Sequence, residues 1–215
     1  MFKNFLTRVG ITKEGQLIKA SRDGKLEEVK ALLNSNVNAN SKTKNGFTPL
    51  MGAAASGHLD IVKLLIENNA DPNVKYTDGR TALFGAVHQG HQNVVEKLLE
   101  SKADPNIAET RQNHTPLFFA VDRDQTKIIP LLIEAGANIE AGEKIGNFTP
   151  LFIATTRQNF EAVKLLLEAG ANPNALGNEG EKIIVMAEAL GGKEIIKILN
   201  EYGAKMWDFE KSNDM

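Results

Sequence analysis

Thr-Pro-Leu stands at 48–50, 115–117 and 149–151, with Thr81-Ala82-Leu83 between, so the four threonines are spaced 33, 34 and 34 residues apart. The alanines five positions on (Ala53, Ala86, Ala120 and Ala154) keep the same beat, and weaker copies extend it to Ala20 and Ala187. A period of this length rules out an ordinary globular core. Each copy is one small supersecondary unit that can bury its apolar face only against its neighbours, so the copies must stack.

One copy can be read residue by residue. Thr48, Thr81, Thr115 and Thr149 suit a helix N-cap, where the hydroxyl accepts a backbone N–H that has no partner in the helix. Pro49, Pro116 and Pro150 suit the first helical position, which needs no N–H. Two residues before each cap stands Gly46, Gly79, Asn113, Asn147 or Gly180, residue types that enter a left-handed turn at low cost. The short first helix is expected to end near Gly57, Gly90 or Gly191. A second helix carries clusters such as Ile61-Val62-Leu64-Leu65-Ile66. It is expected to stop at a left-handed Asn36, Asn69, Gly136, Gly170 or Gly203, with Lys102 the exception in type. A polar turn of the kind Ala-Asp-Pro-Asn then leads to the next threonine.

This pattern resembles the ankyrin-repeat family, whose signature is T-P-L-H-x-A within 33 residues. The resemblance covers roughly residues 15–205. It implies an all-α solenoid of stacked helix-turn-helix units with projecting β-turn fingers. Six units are expected, at about 15–44, 45–77, 78–111, 112–145, 146–178 and 179–205, the first and last degenerate. One departure is systematic: Met51, Phe84, Phe118 and Phe152 stand where the signature has histidine. A buried aromatic ladder is expected there, in preference to a base-stacking platform.

The 215 residues are thereby assigned to one continuous array. Net charge is −2 with both signs interspersed, which gives no electrostatic footprint for nucleic acid. No apolar run reaches the roughly 20 residues of a membrane span. The absence of cysteine excludes disulfides, thiolate zinc sites and a thiol nucleophile. The opening MFKNFLTRVG is too short and polar for a secretory core, so a cytoplasmic location is expected, with export or the periplasm as the alternative if a leader precedes it. Asn200 and Glu188 replace apolar or small residues of the earlier copies, as suits an uncovered terminal face. Residues 1–14, with Phe2, Phe5, Leu6 and Val9 at helical spacing, are expected to cap the first repeat, the alternative being a membrane-surface or partner-binding helix. Residues 206–215 form a tail whose Trp207 and Phe209 are expected to fold back on the last helices.

No constellation for catalysis, a cofactor or a metal is apparent. His58 and His91 are repeat equivalents, and His88 alone has no structural role in the pattern. The resemblance implies that a partner protein meets the turn tips and the exposed positions of the first helix. Carried over residue by residue, this gives Phe47, Arg80, His88, Arg111, His114, Asp122, Arg123, Ile145, Phe148 and Arg157. The implied function is non-catalytic recognition of another protein by a monomer, as adaptor or scaffold, or as inhibitor or regulator of a partner enzyme. The alternative is an accessory domain of a larger enzyme or of a secreted effector.

Irregularities gather in the fourth and fifth copies. Both turns ahead of Thr115 and Thr149 carry an extra residue, Asp124 and Gln158 replace the interhelical glycine, and Pro130 lies within the second helix. If that helix starts near Thr126, Pro130 ends its first turn and removes about one backbone bond. These departures mark either the binding site or drift in a tolerant repeat. If they mark the site, Phe148→Ala or Arg123→Ala weakens partner binding by at least about 1–2 kcal/mol. Folding should be nearly unchanged, since a tip side chain is expected to support nothing in the stack. Lys63→Ala, on a second helix, is the control; binding assays in which only that variant fails would place the partner on the opposite face.

Overall fold

The computed structural model describes residues 12–177 and 179–206. These fall into two compact units that divide between Thr110 and Arg111. The proposed helix within 1–11, the turn residue Asn178 and the pair Trp207 and Phe209 lie outside the described residues. Twelve α-helices are present among the described residues, and the only bridge of β type there is the isolated pair Leu176–Lys182.

The first unit contains three helix pairs: α1 (Lys13–Arg22) and α2 (Leu26–Asn34), α3 (Pro49–Ala55) and α4 (Leu59–Glu67), α5 (Ala82–Gln89) and α6 (Gln92–Glu100). Thr48 and Thr81 cap their helices as expected, accepting the N–H of Met51 and Phe84 at 3.2 and 3.3 Å. First helices pack on first helices and second on second, in chain order. The first helices come closer together because their facing residues are small: a Cβ on Gly85 would stand 3.3 Å from that of Ala55. The core is the apolar layer between them, including Leu17, Leu50, Met51, Leu83 and Phe84, backed by Val29, Val62 and Val95 of the second helices.

Polar bonds lock successive repeats in register. His91 Nε2 lies 3.2 Å from the Ala55 carbonyl and His58 Nε2 lies 3.1 Å from that of Arg22, so in each ring the Nε2–H tautomer donates to the end of the preceding first helix. Each imidazole covers the preceding left-handed glycine; a Cβ on Gly57 would sit 2.8 Å from the His91 ring. Asn40 bonds on both sides, donating from Nδ2 to the Asn69 carbonyl at 2.7 Å and accepting the Asp71 N–H at 2.7 Å. Asn73 repeats this with Lys102 and Asp104. Lys102 is an exception in residue type only, since its φ of 64° is as left-handed as the 62° of Asn69.

The second unit repeats the plan with α7 (Pro116–Asp122) and α8 (Ile128–Glu134), α9 (Pro150–Thr156) and α10 (Phe160–Glu168), α11 (Ile183–Ala189) and α12 (Lys193–Glu201). Phe118 and Phe152 are buried, as is Phe84 in the first unit. In the last repeat the corresponding Val185 is exposed, together with Glu188 and Asn200, which gives that repeat a partly polar outer face. Helix α8 starts at Ile128, later than the expected Thr126, so Pro130 is its third residue. The amides of Ile128 and Ile129 both bond the Gln125 carbonyl. The Ile129 bond matches those of Val62 to His58, Val95 to His91 and Val163 to Asn159, so Pro130, next in line, has no N–H to give the Thr126 carbonyl. This is the expected loss of about one backbone bond, and it accounts for the late helix start.

The missing glycines have a structural explanation. Asp124 and Gln158 keep left-handed backbones, with φ of 57° and 54°. With a side chain in that place, the next repeat no longer has histidine over it. Asn159 stands there instead and donates to the Asp124 carboxylate at 2.5 Å, while Gln158 donates to the Leu190 carbonyl at 2.6 Å beside Gly192. The glycine–histidine contact is thus exchanged as a pair for an Asp–Asn bond. Asp124→Gly alone should change stability little, because relief of roughly 1–2 kcal/mol of left-handed strain is offset by a lost hydrogen bond. Asn159 also caps α10 by accepting the Ala162 N–H at 3.0 Å. The double variant D124G/N159H, with its imidazole reaching the Asp122 carbonyl, should therefore match the parent within about 1 kcal/mol in urea unfolding and exceed Asn159→His alone. A double variant no more stable than Asn159→His alone would show that the two positions are not paired.

Candidate functional site

In the first unit the chain between helix pairs forms fingers at 43–47 and 76–80. The amides of Thr43 and Tyr76 bond the carbonyls of Phe47 and Arg80, and those of Gly46 and Gly79 close the tips onto Thr43 and Tyr76. Adjacent fingers are joined by Thr77 N–H to Asn45 carbonyl at 3.0 Å and Thr110 N–H to Asp78 carbonyl at 2.8 Å. Gly46, at φ 85°, permits this approach, since a Cβ there would lie 2.8 Å from the Lys75 carbonyl oxygen.

Between these fingers and the first helices lies a groove of about 360 Å³ that brings together three of the expected residues, Phe47, Arg80 and His88. Its other lining residues are Met51, Ala55, Tyr76, Thr81, Phe84, Gly85 and Gln89. Phe47 meets Tyr76 edge to face, ring centroids 6.2 Å apart, and the Arg80 guanidinium lies 5.9 Å from the centre of the Tyr76 ring. Asp78 holds Arg80 in place, accepting from Nε at 2.8 Å and from Nη2 at 2.6 Å. These hydrogen bonds push the guanidinium pKa above its ordinary value, so Arg80 is a permanent cation. The Asp78 side chain is 18% exposed and that of Arg80 50%, so the acid is largely covered and the cation faces outward.

The other seven expected residues lie in the second unit, and several of them have structural duties there. His114 stacks on Phe118 at 4.1 Å with planes 9° apart, and Phe148 stacks on Phe152 at 4.4 Å. Asp122 and Arg157 form an ion pair across successive repeats at 2.5 Å. The expectation that the tip side chain of Phe148 supports nothing in the stack is therefore wrong, and His114, Asp122 and Arg157 also have contacts within the fold. In this unit the aromatic residue just ahead of the N-cap turns down onto the first turn of its own helix, much as a hydrophobic staple does. Arg111 and Arg123 are exposed. Ile145 is 70% exposed, and among the large apolar side chains it stands out at a turn tip.

The extra residue in the 34-residue copies is accommodated by a glutamate that the sequence reading overlooked. In the finger at 143–148 the Glu143 amide bonds the Phe148 carbonyl, one residue farther on than in the 33-residue copies. The buried Glu143 carboxylate accepts the amides of Ile145, at 2.7 Å, and of Gly146. Glu109 is buried at the equivalent position. The signal was present as Glu-x-x-x-Asn at 109–113 and 143–147.

Among the described residues no group of three or more His, Asp or Glu side chains is placed to hold a metal ion, and no helix is long and apolar enough to cross a membrane. Stacked helix pairs, left-handed caps and joined fingers define the class of repeat proteins that present a surface. A family model described as "Ankyrin repeats (3 copies)" matches residues 3–76, 71–143 and 139–210, and the chain belongs to that family. It is similar to the human ASB11 ankyrin repeat domain, with 31% identity, 89% of this chain and 85% of that one covered, and a TM-score of 0.74. It is also similar to the ankyrin repeat domain of Bcl-3, described as a unique member of the IkappaB protein family, with 27% identity, 88% and 86% covered, and a TM-score of 0.80. Comparison with curated proteins found no match. Ankyrin repeats are in general non-catalytic modules for protein–protein interaction.

Removing the carboxylate at 143 leaves two turn amides without their acceptor. Glu143→Ala should cost about 1–3 kcal/mol in unfolding free energy, with faster hydrogen exchange at Ile145 and Gly146. Unchanged exchange at those two amides would show that the turn is held by its backbone alone.

Proposed function

We propose that this chain recognises a partner protein through the finger tips and first helices, without catalysis, and acts as an adaptor or as a regulator of the protein it holds. The observation that carries the reading is the groove of the first unit, where Phe47, Arg80 and His88 converge over a floor of Met51 and Phe84. Aromatic and arginine side chains around a concave, partly apolar surface are the groups that most often dominate binding energy. Exposed Arg111, Arg123 and Ile145 on the second unit belong to the same proposal as further contacts. Asp122, Arg157, His114 and Phe148 enter it as contacts that also hold the fold.

The test begins with affinity capture from the native source and identification of the partner by mass spectrometry. Against that partner, Phe47→Ala and His88→Ala should each weaken binding by about 1–2 kcal/mol by calorimetry, with thermal melting recorded alongside. Lys63→Ala, exposed on α4, should bind normally. If the partner is an enzyme, stoichiometric loss of its turnover assigns the regulator role and unchanged turnover the adaptor role. Normal binding by both groove variants would remove the site.

A further inference from the structure

We propose that the groove of the first unit takes an acidic peptide segment of the partner, with one apolar side chain seated on Met51 and Phe84 and a neighbouring carboxylate paired with Arg80. This inference rests on the preceding reading and adds the chemistry of the ligand. Its basis is the way charge is divided within the unit. The chain as a whole is slightly acidic, yet the segments 42–47 and 75–80 carry Lys42, Lys44, Lys75 and Arg80, all exposed, against the single acid Asp78. The three second helices have the opposite balance, six carboxylates to three lysines. A ligand approaching the fingers therefore meets a positive rim, and one approaching the second helices a negative surface.

The groove adds shape to this sign. Its floor is apolar, and Tyr76 and Phe47 form one wall. Arg80 is already oriented by Asp78, which takes Nε and Nη2 from one side. A guanidinium fixed in this way loses little freedom on accepting a second carboxylate, and charge-assisted bonds of this geometry are stronger than neutral ones. A nucleic acid strand is less well matched, because four cations on two fingers are few for a phosphate backbone and the floor offers burial to a side chain.

The test is selection of a displayed library of random short peptides on the full chain, followed by affinity measurement with the best synthetic peptide. The enriched peptides should share an apolar residue flanked by Asp or Glu. Binding should fall about tenfold in Arg80→Ala, and by a similar factor when the peptide carboxylates are replaced by amides. It should also weaken as salt rises from about 0.05 to about 0.5 M. Circular dichroism should show that Arg80→Ala, an exposed position, keeps its fold. Neutral or basic enriched peptides that still lose affinity in Phe47→Ala would overturn the acidic class and leave the groove standing. Acidic peptides indifferent to both Arg80→Ala and Phe47→Ala would overturn the groove itself. Absence of any enriched peptide, or tighter binding of a single-stranded oligonucleotide than of any peptide, would overturn the inference as well.

Discussion

A helix pair of seven and nine residues has no interior of its own, so everything in this protein depends on the contact between one repeat and the next. Helices this short are marginal in isolation. They persist because Leu50, Leu65, Leu83 and Leu98 are covered from the side by a neighbouring pair, and because the polar ends of each pair are tied to the next one. The ties are few and specific. Asn40 and Asn73 each bridge a left-handed carbonyl and the amide two residues beyond it, and His58 and His91 each bond the end of the preceding first helix. Each such bond satisfies a backbone group at or just beyond a helix end, and an intramolecular hydrogen bond of this kind contributes about 0.5–1.5 kcal/mol.

These ties link residues about one period apart, so substitutions travel in pairs. A side chain at position 124 and a histidine at 159 would compete for the same space, and the chain has Asp and Asn there, which bond each other. The same logic holds for the longer fingers, where an added residue brings two amides that need an acceptor and Glu143 provides it. The irregularity of the fourth and fifth copies is thus compensated within the fold. That weakens irregularity as a pointer to function: a local rule broken and repaired by a neighbour calls for no ligand. A large apolar side chain left in solvent, such as that of Ile145 at 70% exposure, is a better pointer.

Much of the fold was legible because its determinants are local. Thr48, Thr81, Thr115 and Thr149 cap helices through an atom of their own, and left-handed positions fall on glycine or asparagine for steric reasons that hold in any context. The period then supplied the stacking. Less legible were contacts that depend on which way a side chain turns. Phe148 was expected to project from the tip, yet it lies on Phe152 four residues ahead, a contact open to inference from the aromatic pair across the cap. Lys102, Asp124 and Gln158 hold left-handed conformations that residue type does not advertise, because tertiary ties outweigh a local preference of roughly 1–2 kcal/mol. The groove required three dimensions, since Phe47, Arg80 and His88 belong to two repeats and meet only when the fingers stack.

The residue just ahead of the capping threonine shows how one position serves two ends. In the second unit it is His114 or Phe148, and each ring closes onto the aromatic residue four places on, which adds apolar contact to the core. In the first unit it is Phe47 or Arg80, and both are turned toward Tyr76 on the finger, leaving space above Met51 and Phe84. Tyr76 is the ring that both approach; the equivalent positions in the longer fingers are the buried Glu109 and Glu143, and the Glu143 carboxylate accepts two turn amides. In the finger at 76–80 the aromatic residue stands beside an open groove, whereas in that at 143–148 the carboxylate holds a longer turn and the tip ring lies on Phe152. The residue at that finger position, Thr43, Tyr76, Glu109 or Glu143, therefore has to be read together with the tip residue of its repeat.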